Sequence, residues 1–274
     1  MKIRVIGFLL LLVSPSLLAQ SSTDPVFLEE LTWTEVRDAI NSGTTSIILP
    51  TGGTEQNGPH MVLGKHNFII KYTAEQIARR LGQTLVAPVL PYVPEGDIEP
   101  PTGHMRFPGT ITLPNEYYMK LLEYAARSFK AHGFKDIIFI GDSGGNQAGM
   151  KTVCEMLNEE WTRTDVRVHF ISDYLGGNGF RAWLLNQGET EASIGRHAGI
   201  PATSQLWSIH PELIRQDKLA PGTTDPTPWQ VEEYRRTGVS GDPTRASVAY
   251  GQKGLELKVE AALAQIKRLI VESR

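Results

Sequence analysis

Short β-branched apolar runs alternate along this chain with longer stretches whose apolar residues recur every three or four positions. Thr45–Leu49 (TSIIL), Leu85–Leu90, Asp136–Ile140 (DIIFI) and Val166–Ile171 read as buried strands. Ile70, Ala74, Ile77, Ala78 and Leu81 lie at helical spacing, and Gly82 is placed to end that helix. A second helical stripe is Tyr118, Leu121, Leu122, Ala125 and Phe129, closed by Gly133, and a third helix runs from Met150 to Trp161. Val259, Ala262, Leu263, Ile266, Leu269 and Ile270 give the end of the chain one apolar face, the mark of an amphipathic helix. Such alternation predicts an α/β fold, a mostly parallel sheet with helices on both faces. Ligands of such sheets sit beyond the carboxyl ends of the strands, so the loops after Leu49, Leu90, Ile140 and Ile171 are where chemistry is expected.

The first residues follow a different pattern. Lys2 and Arg4 precede an apolar run to Val13, a polar break at Ser14–Ser16, and Leu17-Leu18-Ala19. This is the layout of a secretory signal peptide cleaved after Ala19, and the apolar run is too short to span a bilayer. The expectation is therefore a leader over 1–19 and one α/β domain over 20–274, exported to the periplasm or beyond, with no membrane attachment after cleavage. The 274 residues carry 27 Lys plus Arg against 30 Asp plus Glu, so no bulk charge draws the chain to nucleic acid. One cysteine, Cys154, excludes an internal disulfide and a cysteine-rich zinc site, and its helical setting fits a small buried residue.

Three loops carry candidate chemistry. The loop after the first strand holds Glu55, Asn57, His60 and His66, and carboxylate with imidazole is a donor set that zinc and manganese accept. After the third strand comes Gly141-Asp142-Ser143-Gly144-Gly145-Asn146, which fits the G-x-S-x-G turn that exposes a nucleophilic serine between strand and helix. The same glycines also suit a plain turn that lets a ligand approach the backbone. The third loop offers Arg196 and His197, and His104 lies in the long loop after the second strand. His132 and His169 fall in regular elements and read as structural. Loops Pro91–Pro108 and Asp173–Gly195 are expected to shape a pocket, with Tyr92, Tyr174, Phe180 and Trp183 as walls.

In this order the loops resemble those of the creatininase (creatinine amidohydrolase) family. The carriers are GGTEQNGPHMVLGKH, FPGT at Phe107–Thr110, GDSGGN, the HAG and TS segments within His197–Ser204, and GDPTRAS at Gly241–Ser247. The resemblance spans nearly the whole chain after the leader. It implies a three-layer α/β/α sandwich, a binuclear zinc or manganese centre, a small-molecule amide or related C–N bond as substrate, and a homo-oligomer, often a hexamer. Glu55, His60 and His197 match the family pattern. Asn57 stands in place of a metal histidine, His66 in place of the bridging aspartate, Ser143 in place of another metal histidine, and Asp142 in place of a glycine. Arg196 stands where an acidic residue precedes the histidine. A neutral imidazole bridges two dications poorly, and Arg196 adds positive charge where a second ion would sit.

Three readings follow. The first is a hydrolase with a rebuilt mononuclear site: Glu55, His66 and Asp142, joined by His60 or His197, hold zinc or manganese, and His197 shuttles the proton. The second is metal-free serine chemistry, in which Ser143 attacks, His197 or His66 is the base, and Gly144 and Gly145 stabilise the oxyanion. The third is an exported binding protein without turnover, with Arg196 and Lys65 favouring an anionic ligand. Asn57 and His104 are expected to contact substrate in the hydrolase readings.

Overall fold

Two strands with every interior position apolar make the centre of the sheet. β1 (Ser46–Thr51) and β3 (Asp136–Gly141) are buried almost throughout, which requires cover on both faces. The computed structural model describes residues 24–273; the expected leader lies outside the described residues. β2 (Thr84–Val86) and β4 (Arg167–Phe170) flank the central pair, and the order β2-β1-β3-β4 is parallel throughout. The connection from β1 runs one way along the sheet and the later connections run the other way. With right-handed crossovers, that reversal puts helices on opposite faces.

The helices obey this. In chain order they are α1 (Trp33–Asn41), α2 (Lys65–Leu81), α3 (Asn115–His132), α4 (Gln147–Glu160), α5 (Phe180–Asn186), α6 (Glu191–Ile194), α7 (Ile200–Ile209), α8 (Glu232–Thr237) and α9 (Val248–Glu272). Ile47, Leu49, Ile137 and Phe139 point to the face covered by α3 and α4, where Tyr118, Leu122, Met150 and Leu157 fill the core. Ile48, Ile138 and Ile140 point to the other face and meet Ile70, Ile77, Val259 and Ile266 of α2 and α9. The three-layer α/β/α expectation is met. Helix α7 packs outside this layer against α2 and α9.

The expected helix ends are in place: Gly82 and Gly133 take positive φ of 73° and 105°. Three expectations are corrected. The second strand is Thr84–Val86 rather than Leu85–Leu90, because Pro88 has no N–H to donate; pairing resumes only at Leu90, whose N–H bonds Pro50 O at 2.9 Å. Asp173–Gly195 is not one loop but contains α5 and α6. Helix α1 was not anticipated, although Thr32 and Glu35 form a capping box at its start.

Candidate active site

Because β1 and β3 are adjacent and parallel, their carboxyl ends open side by side at the point where the strand order reverses. The loops they feed are held together by Asn146, whose amide donates to Thr51 O, Thr51 Oγ1 and Gly52 O at 2.8–3.1 Å. Gly52 is obligatory here, since a Cβ would collide with Asn67 Oδ1. Beyond this staple lies a cavity of about 620 Å³.

Three candidate residues meet in its floor. His66, in the first turn of α2, places Nε2 2.8 Å from Glu55 Oε1 and Nδ1 2.6 Å from Asp142 Oδ2. The sequence anticipates that this trio converges and names Lys65 as a pocket cation; it does not anticipate Lys258. Lys65 Nζ lies 2.7 Å from His66 Nε2, so that ring nitrogen meets an ammonium donor and a carboxylate acceptor at once. Lys258, from the middle of α9, pairs with Asp142 Oδ1, which also accepts from the Tyr174 hydroxyl at 3.1 Å. Burial opposes ionisation of both carboxyls, but Lys258 and His66 at Asp142, and His66 at Glu55, outweigh it and hold both well below the usual carboxylate range. Burial drags the Lys65 amine down, against the pull of Glu55 and Asp142.

Glu95 completes the floor. It is 5% exposed and is pushed up to about 10, first by burial and then by the charge of Glu55 and a hydrogen bond to it. Two neighbouring carboxyls thus hold opposite protonation states at neutral pH.

The upper wall is imidazole and aromatic. His197 donates Nε2–H to Gln56 O at 2.9 Å, which leaves Nδ1 as a lone pair 3.8 Å from Glu55 Oε1. Burial lowers its pKa to about 3, so the ring is neutral. The adjacent Ala198 adopts φ +53°, a left-handed conformation costing an L-residue roughly 1–2 kcal/mol. His104 Nε2 lies 3.3 Å from Glu55 Oε2, and Trp229 stands edge-on to both histidines with ring centroids 5.8 and 6.1 Å away. Ser143, Gly144, Gly145, Arg196 and Phe180 also line the cavity.

Several assignments are corrected. His60 is buried away from the cavity, its Nε2 3.0 Å from Thr203 Oγ1, and cannot reach the other donors. Asn57 is a loop brace, its amide donating to Glu55 O at 2.9 Å. Ser143 has no imidazole hydrogen-bonded to its hydroxyl among the described residues, so no preformed serine–histidine pair exists. Tyr174 acts from beneath the floor rather than as a wall. Tyr92 is absent from the lining, and Trp183 packs behind Phe180 at 6.1 Å. The residues missed were Glu95, Lys258 and Trp229. Lys258 had a readable signal: it stands three residues after Leu255 and four before Ala262, on the apolar face of α9, where an unpaired lysine is rare.

The donor set also tests whether zinc or manganese fits. Among the described residues the geometric candidate is Glu55, His104 and His197, with ligand atoms within 4.8 Å of one another, not the expected Glu55, His66, Asp142 and His60. A ligating histidine needs its other ring nitrogen to donate, normally to a carbonyl or carboxylate. His197 meets this condition; His104 does not. The Gly58 N–H bonds Gln56 Oε1 at 2.9 Å, which fixes that amide so that its NH₂ donates to His104 Nδ1 at 3.2 Å. The His104 proton is therefore on Nε2, directed at Glu55. Asp142 is saturated by Lys258, Tyr174 and His66. These residues do not fit a divalent ion as arranged.

A parallel α/β/α fold with a polar pocket at its strand-order reversal defines a class of proteins that act on small ligands. The match to the creatininase (creatinine amidohydrolase) profile covers residues 29–266, and the chain belongs to that family. It is 27% identical over 244 residues to the mycofactocin precursor peptide peptidase of Mycobacterium tuberculosis, covering 83% of this chain and 86% of that protein. It is 26% identical over 266 residues to creatinine amidohydrolase of Pseudomonas putida, covering 90% and 96%. Among solved structures, a manganese form of creatininase superposes with a TM-score of 0.76 at 24% identity, covering 90% of this chain and 99% of that one. This last likeness speaks to fold alone.

Proposed function

We propose that this protein is a hydrolase of an amide or related C–N bond in a small molecule that carries an anionic group. The observation that carries the reading is the carboxyl pair in the cavity floor, Glu55 ionised and Glu95 neutral. Neighbouring carboxyls whose environments drive their proton affinities apart are what a base and an acid require. Glu55 takes a proton from the attacking water and returns it to Glu95 once the amine has left, while His66 positions the Glu55 carboxylate through Nε2 and is itself held by Asp142 at Nδ1. Glu95 gives its proton to the departing nitrogen, so water and amide become carboxylate and amine. Gly144 and Gly145 present backbone N–H groups to the developing oxyanion, and Arg196, which lines the cavity, meets the anionic group. Relatives named for creatinine and for a precursor peptide support a C–N bond as the target. No step passes through a metal ion.

The test is a panel of cyclic amides, N-acyl amino acids and short peptides incubated with wild type, Glu95→Gln and Glu55→Gln, with amine release followed by mass spectrometry. Wild type is expected to turn over at least one compound, and either substitution to slow it by ~10²–10⁴-fold. Equal rates in wild type and Glu95→Gln would remove Glu95 from the chemistry. A second reading, an exported binding protein, is favoured by the full engagement of Asp142 by side-chain cations. It predicts compounds that raise Tm without any product.

A further inference from the structure

Asp142 has no free face. Oδ2 accepts from His66 Nδ1 at 2.6 Å, and Oδ1 accepts from Lys258 Nζ and from the Tyr174 hydroxyl at 3.1 Å. Tyr174 is fixed in turn by Thr73 Oγ1 at 2.8 Å, and the Lys258 ammonium lies 4.8 Å from the Tyr174 ring centre, where the ring face attracts it. On the other side of His66, Lys65 Nζ contacts Nε2 beside Glu55. Both lysines are buried, 4% and 5% exposed, and both line the cavity. Two buried carboxylates therefore face two buried lysines, with one imidazole between them. Lysine carries three donors and no lone pair while protonated, so the Lys258 ammonium fills the coordination space of Asp142 Oδ1, and Lys65, seated on His66 Nε2, adds a second positive charge that repels a divalent cation. Burying such charges is costly unless they are compensated: Lys258 is paired with Asp142, and Lys65 feels the attraction of Glu55 and Asp142.

We propose that Lys65 and Lys258 are the resident cations of this pocket, held against Glu55–His66 and Asp142 where a divalent ion would otherwise neutralise the same carboxylates. The folded protein keeps its pocket assembled without a divalent ion. Removing Lys258 opens a site for one at Asp142, whose Oδ1 is freed as a donor. This inference stands whether or not the pocket hydrolyses amides, because it concerns what holds the carboxylates.

The experiment uses full-chain protein dialysed against zinc chloride or manganese chloride, with bound metal measured by elemental analysis and Tm recorded with and without EDTA. Wild type is expected to hold less than half an ion per chain and to show the same Tm in all conditions. Lys258→Met, one atom shorter, unbranched and uncharged, is expected to melt lower, to bind zinc or manganese, and to regain Tm when the ion is added. Half an ion or more per wild-type chain, or a wild-type Tm raised by either ion, would overturn the proposal. So would a folded Lys258→Met protein that binds no more metal than wild type. If Lys258→Met does not fold, the wild-type measurement decides alone. Absence of hydrolysis by a wild-type protein that holds less than half an ion per chain would count against the proposed reaction and leave the resident cations in place.

Discussion

In water the carboxyl of Glu95 would ionise near 4.5; in the floor of the cavity it keeps its proton up to about 10. The folded chain then binds one proton more than the unfolded chain between those values, so Glu95 makes stability fall as pH rises across that window. Glu95→Gln removes the ionisation and keeps an N–H donor toward Glu55. Its Tm is expected to match wild type at pH 5 and to exceed it by a margin that grows toward pH 9. A differential scanning calorimetry series over that pH range checks it, and a constant offset at all pH values would show that Glu95 is ionised in the fold. The same residue shows where sequence reading stops. Glu55, His66 and Asp142 could be picked out because each follows a strand end within a short polar loop, and strand ends are where parallel sheets put chemistry. Glu95 sits in a long loop without period, and only burial beside Glu55 makes it unusual. Lys258 lies 116 residues from Asp142, so their pairing is a tertiary fact, although a lysine on an apolar face hinted that some partner existed.

At the scale of elements, legibility tracked burial. The central strands were readable because both faces are apolar, and α2, α3, α4 and α9 because long stripes repeat with the helical period. Helix α1 escaped because it buries no residue fully and only Val36 and Ile40 touch the core, leaving a capping box as its main signature. The segment from α5 to α7 escaped because its helices are short and broken by glycines. Yet these pieces build one wall of the cavity, and their position depends on how closely α7 approaches α9. That approach is set by Gly251: a Cβ there would collide with Ser204 O of α7, and a Cβ at Gly254 would press on Phe180 of α5 at 2.5 Å. In an isolated helix, Ala in place of Gly would stabilise by ~1 kcal/mol. Here Gly251→Ala must push α7 outward, and overpacking of this kind typically costs 1–3 kcal/mol. The variant is expected to lose about 2 kcal/mol in urea unfolding. Its thermal and denaturant midpoints should fall together, and a stabilised Gly251→Ala protein would show that α7 and α9 are less tightly apposed.

Considered whole, the molecule is tied down almost from its first described residue. Val26 is fully buried, its carbonyl accepts from Val86 N–H at 2.8 Å, and Phe27 bridges to the same residue, so the chain enters along the edge strand β2. Only Gln20 to Pro25 would separate that anchor from a cut after Ala19. A cut there would leave Val26 and Phe27, with their contacts to β2, in the chain. It would also remove Lys2 and Arg4, taking the formal charge from −3 to −5. Among the described residues no helix is long and apolar enough to cross a membrane. We propose that residues 1–19 are a leader that is cleaved off, as their sequence pattern indicates. Expression of the full chain in a bacterium with an intact export pathway is expected to yield protein beginning at Gln20, read by intact mass and N-terminal sequencing. A retained Met1 in the exported fraction would refute cleavage.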